Sequence, residues 1–120
     1  MPSNPVKEKS FNLAVRIAKL YKFLEKDKKE YTLSKQLLRS GTSIGAMVRE
    51  AVHAESKKDF VHKMSIAQKE SNETLYWLEL LKETDYLTQQ QFESLYKDAD
   101  EVMSIITSII RTTKKNMTRE

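Results

Sequence analysis

The chain has 120 residues, of which 39% are hydrophobic and 32% are charged, and its formal net charge is +4. This length suits one continuous core, and the aliphatic content argues against a disordered chain. The absence of cysteine excludes disulfides and thiolate metal sites, which fits a reducing compartment. No stretch of the sequence has the apolar character of a signal peptide or of a membrane span, so we expect neither. We therefore expect one domain, residues 1–120, in the cytoplasm and away from membranes.

Glycine and proline, which break helices, are scarce and favourably placed. The chain has two of each, and both prolines lie within its first five residues, so helices can run without interruption after Pro5. Asn4 followed by Pro5 predicts an N-cap and a first helix over about 5–27. Thr32 predicts the cap of a second helix over about 32–55, where apolar residues alternate at four-residue and three-residue spacings.

Two capping-box sequences indicate where the remaining helices begin. One starts at Ser56 and predicts a helix over about 57–83; the other starts at Thr88 and predicts one over about 88–114. Both helices keep a seven-residue apolar period, which is typical of coiled-coil-like packing. Because the connections are short, consecutive helices are expected to be antiparallel neighbours. The sequence thus predicts an all-α fold, an antiparallel up-down-up-down four-helix bundle.

Positive charge is concentrated in the first half of the chain. Residues 1–60 carry 13 Lys and Arg against 7 Asp and Glu, whereas residues 61–120 carry 8 against 10. Such polarity favours an acidic partner such as RNA, and it would also serve head-to-tail contacts between copies of the chain.

Two groups of basic residues are candidates for nucleic-acid binding. The first lies around the second helix and the turn after it and comprises Lys35, Arg39, Arg49, Lys57, Lys58 and Lys63. The alternative group lies on the first helix, opposite Phe11, with Phe23 available for stacking, and comprises Lys9, Arg16, Lys19, Lys22 and Lys26. A basic helix face that is simply solvated remains the alternative to both.

The second and third helices carry further unusual features beside their apolar stripes. Gly41 and Gly45 in mid-helix each cost about 1 kcal/mol relative to alanine, which predicts a close helix–helix approach or else a bend or ligand contact. A polar stripe runs along the second helix, and a mixed face with Trp77 runs along the third. These faces predict a polar network between the two helices or a contact with another subunit. The stripe and interface residues are Gln36, Arg39, Ser43, Glu50, Glu73 and Trp77.

Catalytic and metal-binding patterns are missing. Glu50 and His53 have the Glu-x-x-His spacing of di-iron bundles, but such sites need a second pair and two further glutamates. Asp59 and His62, the other candidate pair, lie at a helix start. There is no nucleophile elbow and no glycine-rich phosphate loop. We expect no enzyme activity, no metal and no cofactor.

The segment from Leu33 to Ile44, continuing through Val48 and Glu50, resembles the second-helix signature of a bacterial family of four-helix bundle proteins. That family is named for reading frames in intervening sequences of 23S ribosomal RNA genes. Its polar residues correspond to Gln36, Arg39, Ser43 and Glu50, whereas Met47 replaces the usual asparagine and Ala51 a common glycine. The accessory protein of diversity-generating retroelements is similar, and it forms a pentameric ring that binds nucleic acid and a reverse transcriptase.

The resemblance and the charge distribution together lead to one expectation and one alternative. The expectation is a non-enzymatic homo-oligomer, a pentamer by analogy, that binds structured RNA such as 23S rRNA through basic surface residues. The alternative is a protein–protein adaptor or assembly scaffold, for example for a nucleic-acid enzyme.

Overall fold

The computed structural model describes residues 4–118, and these form four α-helices with no strand among them. The helices are α1 (Pro5–Lys26), α2 (Leu33–Val52), α3 (Lys57–Glu83) and α4 (Gln89–Thr118). Each helix packs against the next in chain order, and α1 also packs against α4, which closes the arrangement. The predicted all-α, antiparallel up-down-up-down four-helix bundle is therefore confirmed.

Side chains cap three of the four helices at the positions that the sequence indicates. The Asn4 side chain accepts a hydrogen bond of 3.2 Å from the backbone N–H three residues later, and Ser56 does the same at 3.0 Å. Thr88 and Gln91 form a complete capping box, because each side chain accepts from the other residue's N–H, at 3.1 and 2.9 Å. These bonds satisfy N–H groups that have no partner within the helix.

The start of α2 differs from the prediction. Thr32 makes no capping bond, and its backbone is already helical, with φ −106° and ψ −60°. Glu30 performs that role: its carboxylate accepts from the N–H groups of Thr32, Leu33 and Ser34 at 3.1, 2.9 and 2.6 Å. The sequence did not predict Glu30 as the cap of α2, because the side chains usually preferred at an N-cap are shorter than glutamate.

The C-terminal ends of α2 and α4 also differ from the predicted positions. Helix α2 ends at Val52 rather than near 55, because Ser56 already adopts the extended backbone (φ −154°, ψ 168°) that its capping role requires. Helix α4 continues to Thr118 rather than stopping near 114. No glycine or proline follows Ile110 to interrupt it.

The core lies along the common axis of the four helices. On α1 the buried stripe includes Leu13, Ile17 and Leu24, whose side chains are at most 1% exposed. The other helices contribute residues at matching spacings, among them Leu37, Ile44, Val48, Met64, Leu78, Leu81, Val102 and Ile106. Burial of this apolar surface is the main driving force for the bundle.

The two glycines of α2 have different roles. A Cβ atom added at Gly41 would lie 2.4 Å from Cδ1 and 3.0 Å from Cγ2 of Ile17, so the close approach of α1 and α2 requires glycine there. At Gly45 an added Cβ would meet Ser10 Oγ at 3.4 Å, which is an ordinary contact. The predicted close approach is thus present at Gly41, whereas Gly45 has room for a side-chain carbon.

Candidate nucleic-acid interface

The polar stripe of α2 takes part in a network with α3. The guanidinium of Arg39 donates to Glu70 at 3.1 Å and to Glu73 at 2.9 Å. Between the same two helices, the buried hydroxyl of Thr74 donates a hydrogen bond of 3.0 Å to the buried hydroxyl of Ser40. Arg39 and Glu73 therefore pair within one bundle and join its second and third helices.

The other stripe residues have separate surroundings. Glu50 does not pair with Arg39; its carboxylate lies 3.5 Å from the ammonium group of Lys63. The Ser43 hydroxyl donates at 2.6 Å to the backbone carbonyl of Arg39, and Gln36 is exposed. The stripe is thus not one continuous network.

Trp77 lies on α3, partly buried and packed against the core. Its indole N–H is buried and has no hydrogen-bond partner in the part of the chain that the structure describes. Its neighbour Tyr76 is 55% exposed, and the two rings meet edge to face with centroids 5.0 Å apart. The pair therefore exposes the ring of Tyr76, whereas the unsatisfied donor of Trp77 is buried.

The structure does not bring the first group of basic candidates together. Lys35 lies in the first turn of α2 and Arg49 in the last, roughly 21 Å apart along the axis at 1.5 Å per residue. Carboxylates already pair with Arg39 and with Lys63, the latter within 4.0 Å of Asp59. The two remaining members, Lys57 and Lys58, are exposed at the start of α3.

The second group divides between two faces of α1. Arg16 faces α4, where it donates to Asp98 at 2.5 Å and to the hydroxyl of Ser94 at 2.8 Å. Lys9 faces α4 as well and forms an ion pair with Glu101, whose hydrogen bond and negative charge raise the pKa of Lys9. Both cations are thereby neutralised within the bundle.

Three lysines of α1 remain directed to solvent: Lys19, Lys22 and Lys26. At about 100° per residue they lie within roughly 60° of one another, opposite the buried stripe. None of them forms a side-chain hydrogen bond or ion pair with another of residues 4–118. Phe23, the ring predicted to be available for stacking, is partly buried against the core, and the ammonium group of Lys28 lies 5.9 Å from its ring centroid.

A shallow groove of about 370 Å³ runs between α1 and α2 on the outside of the bundle. Its most prominent side chain is Phe11, which is 44% exposed and has the guanidinium of Arg49 5.4 Å from its ring centroid. We call it the α1–α2 groove, and it is lined by Lys7, Phe11, Ala14, Thr42, Gly45, Ala46 and Arg49. The exposure of Phe11 was not predicted from the sequence, although its position one turn after Lys7 could have indicated a shared face.

Two further features complete the description. Within residues 4–118, no group of three or more His, Asp or Glu side chains could hold a metal ion, and His53 is exposed just after α2. None of the helices in this range is long and apolar enough to cross a membrane.

Comparison with known proteins gives the family of the chain. No curated protein matches it significantly. It is similar to a crystal structure from Bacteroides thetaiotaomicron, described as a protein of unknown function from the S23 ribosomal protein family. That pair shares 56% sequence identity and a TM-score of 0.87, and the alignment covers 88% of this chain and 97% of the other. Residues 3–108 match the family described as 23S rRNA-intervening sequence protein. The chain therefore belongs to the 23S rRNA-intervening sequence protein family, in agreement with the resemblance seen in the sequence.

Proposed function

We propose that this chain is a non-enzymatic, cytoplasmic protein that assembles into a homo-oligomer and binds structured RNA, chiefly through backbone phosphates. The family's description associates it with 23S rRNA, which makes that RNA the first candidate ligand. The observation that supports the proposal most is the solvent face of α1, the exposed and unpaired set Lys19, Lys22 and Lys26. Phosphates would supply the counter-charges that the bundle itself does not.

Pairing within the bundle decides which basic residues we assign to RNA. Arg16 and Arg39 have their donors engaged by carboxylates, so contact with RNA would first require breaking those bonds. The three α1 lysines could contact RNA without breaking any such bond. Flexible ammonium groups contact phosphates as point charges without reading base sequence. Lys35 and Lys29, both exposed near the same end of the bundle, would extend this surface.

Self-association is supported by the aromatic surface on α3. Tyr76 is 55% exposed, and beside it the buried indole N–H of Trp77 has no partner within residues 4–118. Aromatic side chains are enriched in surfaces that another protein covers. We propose that a second copy of the chain covers this aromatic surface. The pentamer is the assembly that the resemblance to the retroelement accessory protein implies.

Light scattering of the purified protein, with and without a 23S rRNA fragment across a salt series, tests assembly and binding together. We expect an oligomer that gains RNA mass at low salt and loses it at high salt. The variant K19Q/K22Q/K26Q should bind more weakly, with the salt dependence reduced by about one unit of slope per lysine. A matched control, K69Q/K97Q/K115Q, removes the same charge from exposed positions of α3 and α4.

Each result of that experiment bears on a different part of the proposal. Equal weakening by both triple variants would show that the α1 face is not the binding surface. Absence of RNA binding at low salt would overturn the RNA function, and a monomeric mass would overturn the homo-oligomer.

The alternative function is a protein–protein adaptor, and the surface at Tyr76 and Trp77 is what favours it. In that case a different protein, rather than a second copy, would cover the aromatic pair. An oligomer that is indifferent to RNA would support the adaptor. The variant K19Q/K22Q/K26Q would then leave partner binding intact.

A further inference from the structure

Phe11 is an aromatic side chain held at the surface between two cations. It is 44% exposed, and the guanidinium of Arg49 lies 5.4 Å from its ring centroid. Lys7 stands one helical turn earlier, on the same face of α1. An aromatic ring flanked by positive charges is the combination with which proteins bind single-stranded nucleic acid, because bases stack while phosphates pair with cations.

The walls of the α1–α2 groove leave the Phe11 ring accessible. Its other lining residues are small: Ala14 on α1, and Thr42, Gly45 and Ala46 on α2. The two helices approach closely near this groove at Gly41, where a Cβ atom would collide with Ile17. The groove volume of about 370 Å³ falls within the roughly 300–1,000 Å³ typical of small-ligand sites.

The charge of the groove is unbalanced. No carboxylate lines it, and the side chains of Lys7 and Arg49 form no ion pair with other described residues. The neighbouring depression at the α2–α3 end, which shares Arg49, is instead lined by three carboxylates, those of Glu50, Glu55 and Asp59. An anion therefore finds uncompensated positive charge in the α1–α2 groove but not in its neighbour.

We propose that the α1–α2 groove binds one unpaired nucleotide of RNA, with its base stacked on Phe11 and its flanking phosphates at Lys7 and Arg49. This inference rests on the proposed RNA-binding function and assigns to it a site for single-stranded segments. The planar guanidinium of Arg49 can contact a phosphate and a base face together. At 100° per residue, Lys22 lies within about 20° of Phe11 around α1, rather than on the opposite side as expected from the sequence. The strand can therefore continue along α1 toward Lys22, roughly 16 Å from Phe11 at 1.5 Å per residue. Loops and bulges of a structured RNA supply such unpaired nucleotides.

The test is the affinity of the full chain for a single-stranded RNA oligonucleotide that contains the fluorescent base 2-aminopurine, against a duplex of equal length. We expect F11A to weaken single-strand binding by roughly 5- to 100-fold, the range that stacking of one base contributes. The salt dependence should stay unchanged, because stacking involves no counterion release. K7Q should lower the salt slope by about one. The control Y31A removes another aromatic ring, which is 50% exposed.

The outcomes separate this inference from the function on which it rests. Binding of F11A equal to that of the unaltered protein, together with weakened binding by K19Q/K22Q/K26Q, would overturn the groove and leave the RNA function standing. Equal loss of duplex and single-strand affinity in F11A would also overturn stacking. A changed oligomeric mass in F11A would identify the groove as a subunit contact instead. If the unaltered protein binds neither RNA, the proposed function itself fails.

Discussion

Helix α1 meets its two neighbours in different ways. Against α2 the contact is apolar and close, with Ile17 fully buried over Gly41. Against α4, charged side chains join the helices: Lys9 pairs with Glu101 and Arg16 with Asp98, all roughly 40–50% exposed. The first contact depends on shape and the second on charges that water screens. The α2 side of α1 should therefore contribute far more to stability than the α4 side.

The largest effect is expected where that shape is most restricted. Gly41→Ala should lower the free energy of unfolding by about 1–3 kcal/mol, because the new methyl group meets a buried, β-branched side chain that has little room to move. Gly45→Ala, four residues away, is the matched control and should raise stability by up to about 1 kcal/mol through helix propensity. Urea unfolding followed by circular dichroism, at equal protein concentrations, measures both. Equal stability of the two variants would show that the α1–α2 contact is not restricted at Gly41.

The connection between α1 and α2 should give the next largest effect. Glu30 is buried, which disfavours its charged form, but the N–H groups of Leu33, Ser34 and Thr32 outweigh burial and hold its pKa below the ordinary value. Glu30→Gln should therefore cost about 0.5–2 kcal/mol at neutral pH, as loss of a helix cap does. Glu55→Gln, at an exposed position, is the control and should have little effect.

The hydrogen bonds to the Glu30 carboxylate also make its contribution to stability depend on pH. Because the folded-state pKa of Glu30 is lowered, its stabilisation is complete above the ordinary glutamate pKa of about 4.3 and is lost as the pH falls through the folded-state value. The stability difference between the unaltered protein and Glu30→Gln should thus be constant near pH 7 and shrink toward pH 3. Urea unfolding over that range measures it, and a difference that grows on acidification would contradict the assignment.

The α4 side of α1 should give the smallest effect. In a double-mutant cycle with Arg16→Gln and Asp98→Asn, we expect a coupling energy of about 0.2–1 kcal/mol, since both side chains are substantially exposed. The coupling should fall between 0.05 and 0.5 M salt because of screening. A salt-independent coupling energy well above 1 kcal/mol would show that the α4 side of α1 contributes to stability as strongly as the α2 side.

Basic residues illustrate what sequence reasoning could not settle about the candidate site. Arg16 and Lys19 both belong to the predicted basic face of the first helix, and about 60° of rotation around the helix axis separates them at 100° per residue. That rotation is enough to place Arg16 against Asp98 and to leave Lys19 in solvent. Phe11 and Phe23 are a similar case. Their spacing from the basic residues did not show that Phe11 would be 44% exposed while Phe23 packs, partly buried, against the core.

The sequence by itself determined the features that depend on near neighbours in the chain. Helix starts at Asn4, Ser56 and Thr88, the apolar periods and the four-helix architecture all follow from interactions between residues a few positions apart. Only the tertiary structure decided which cations are neutralised. The pairs Arg39–Glu70 and Arg16–Asp98 join residues 31 and 82 positions apart. No local pattern encodes such pairs, because they arise only when helix rotation and packing bring distant side chains together.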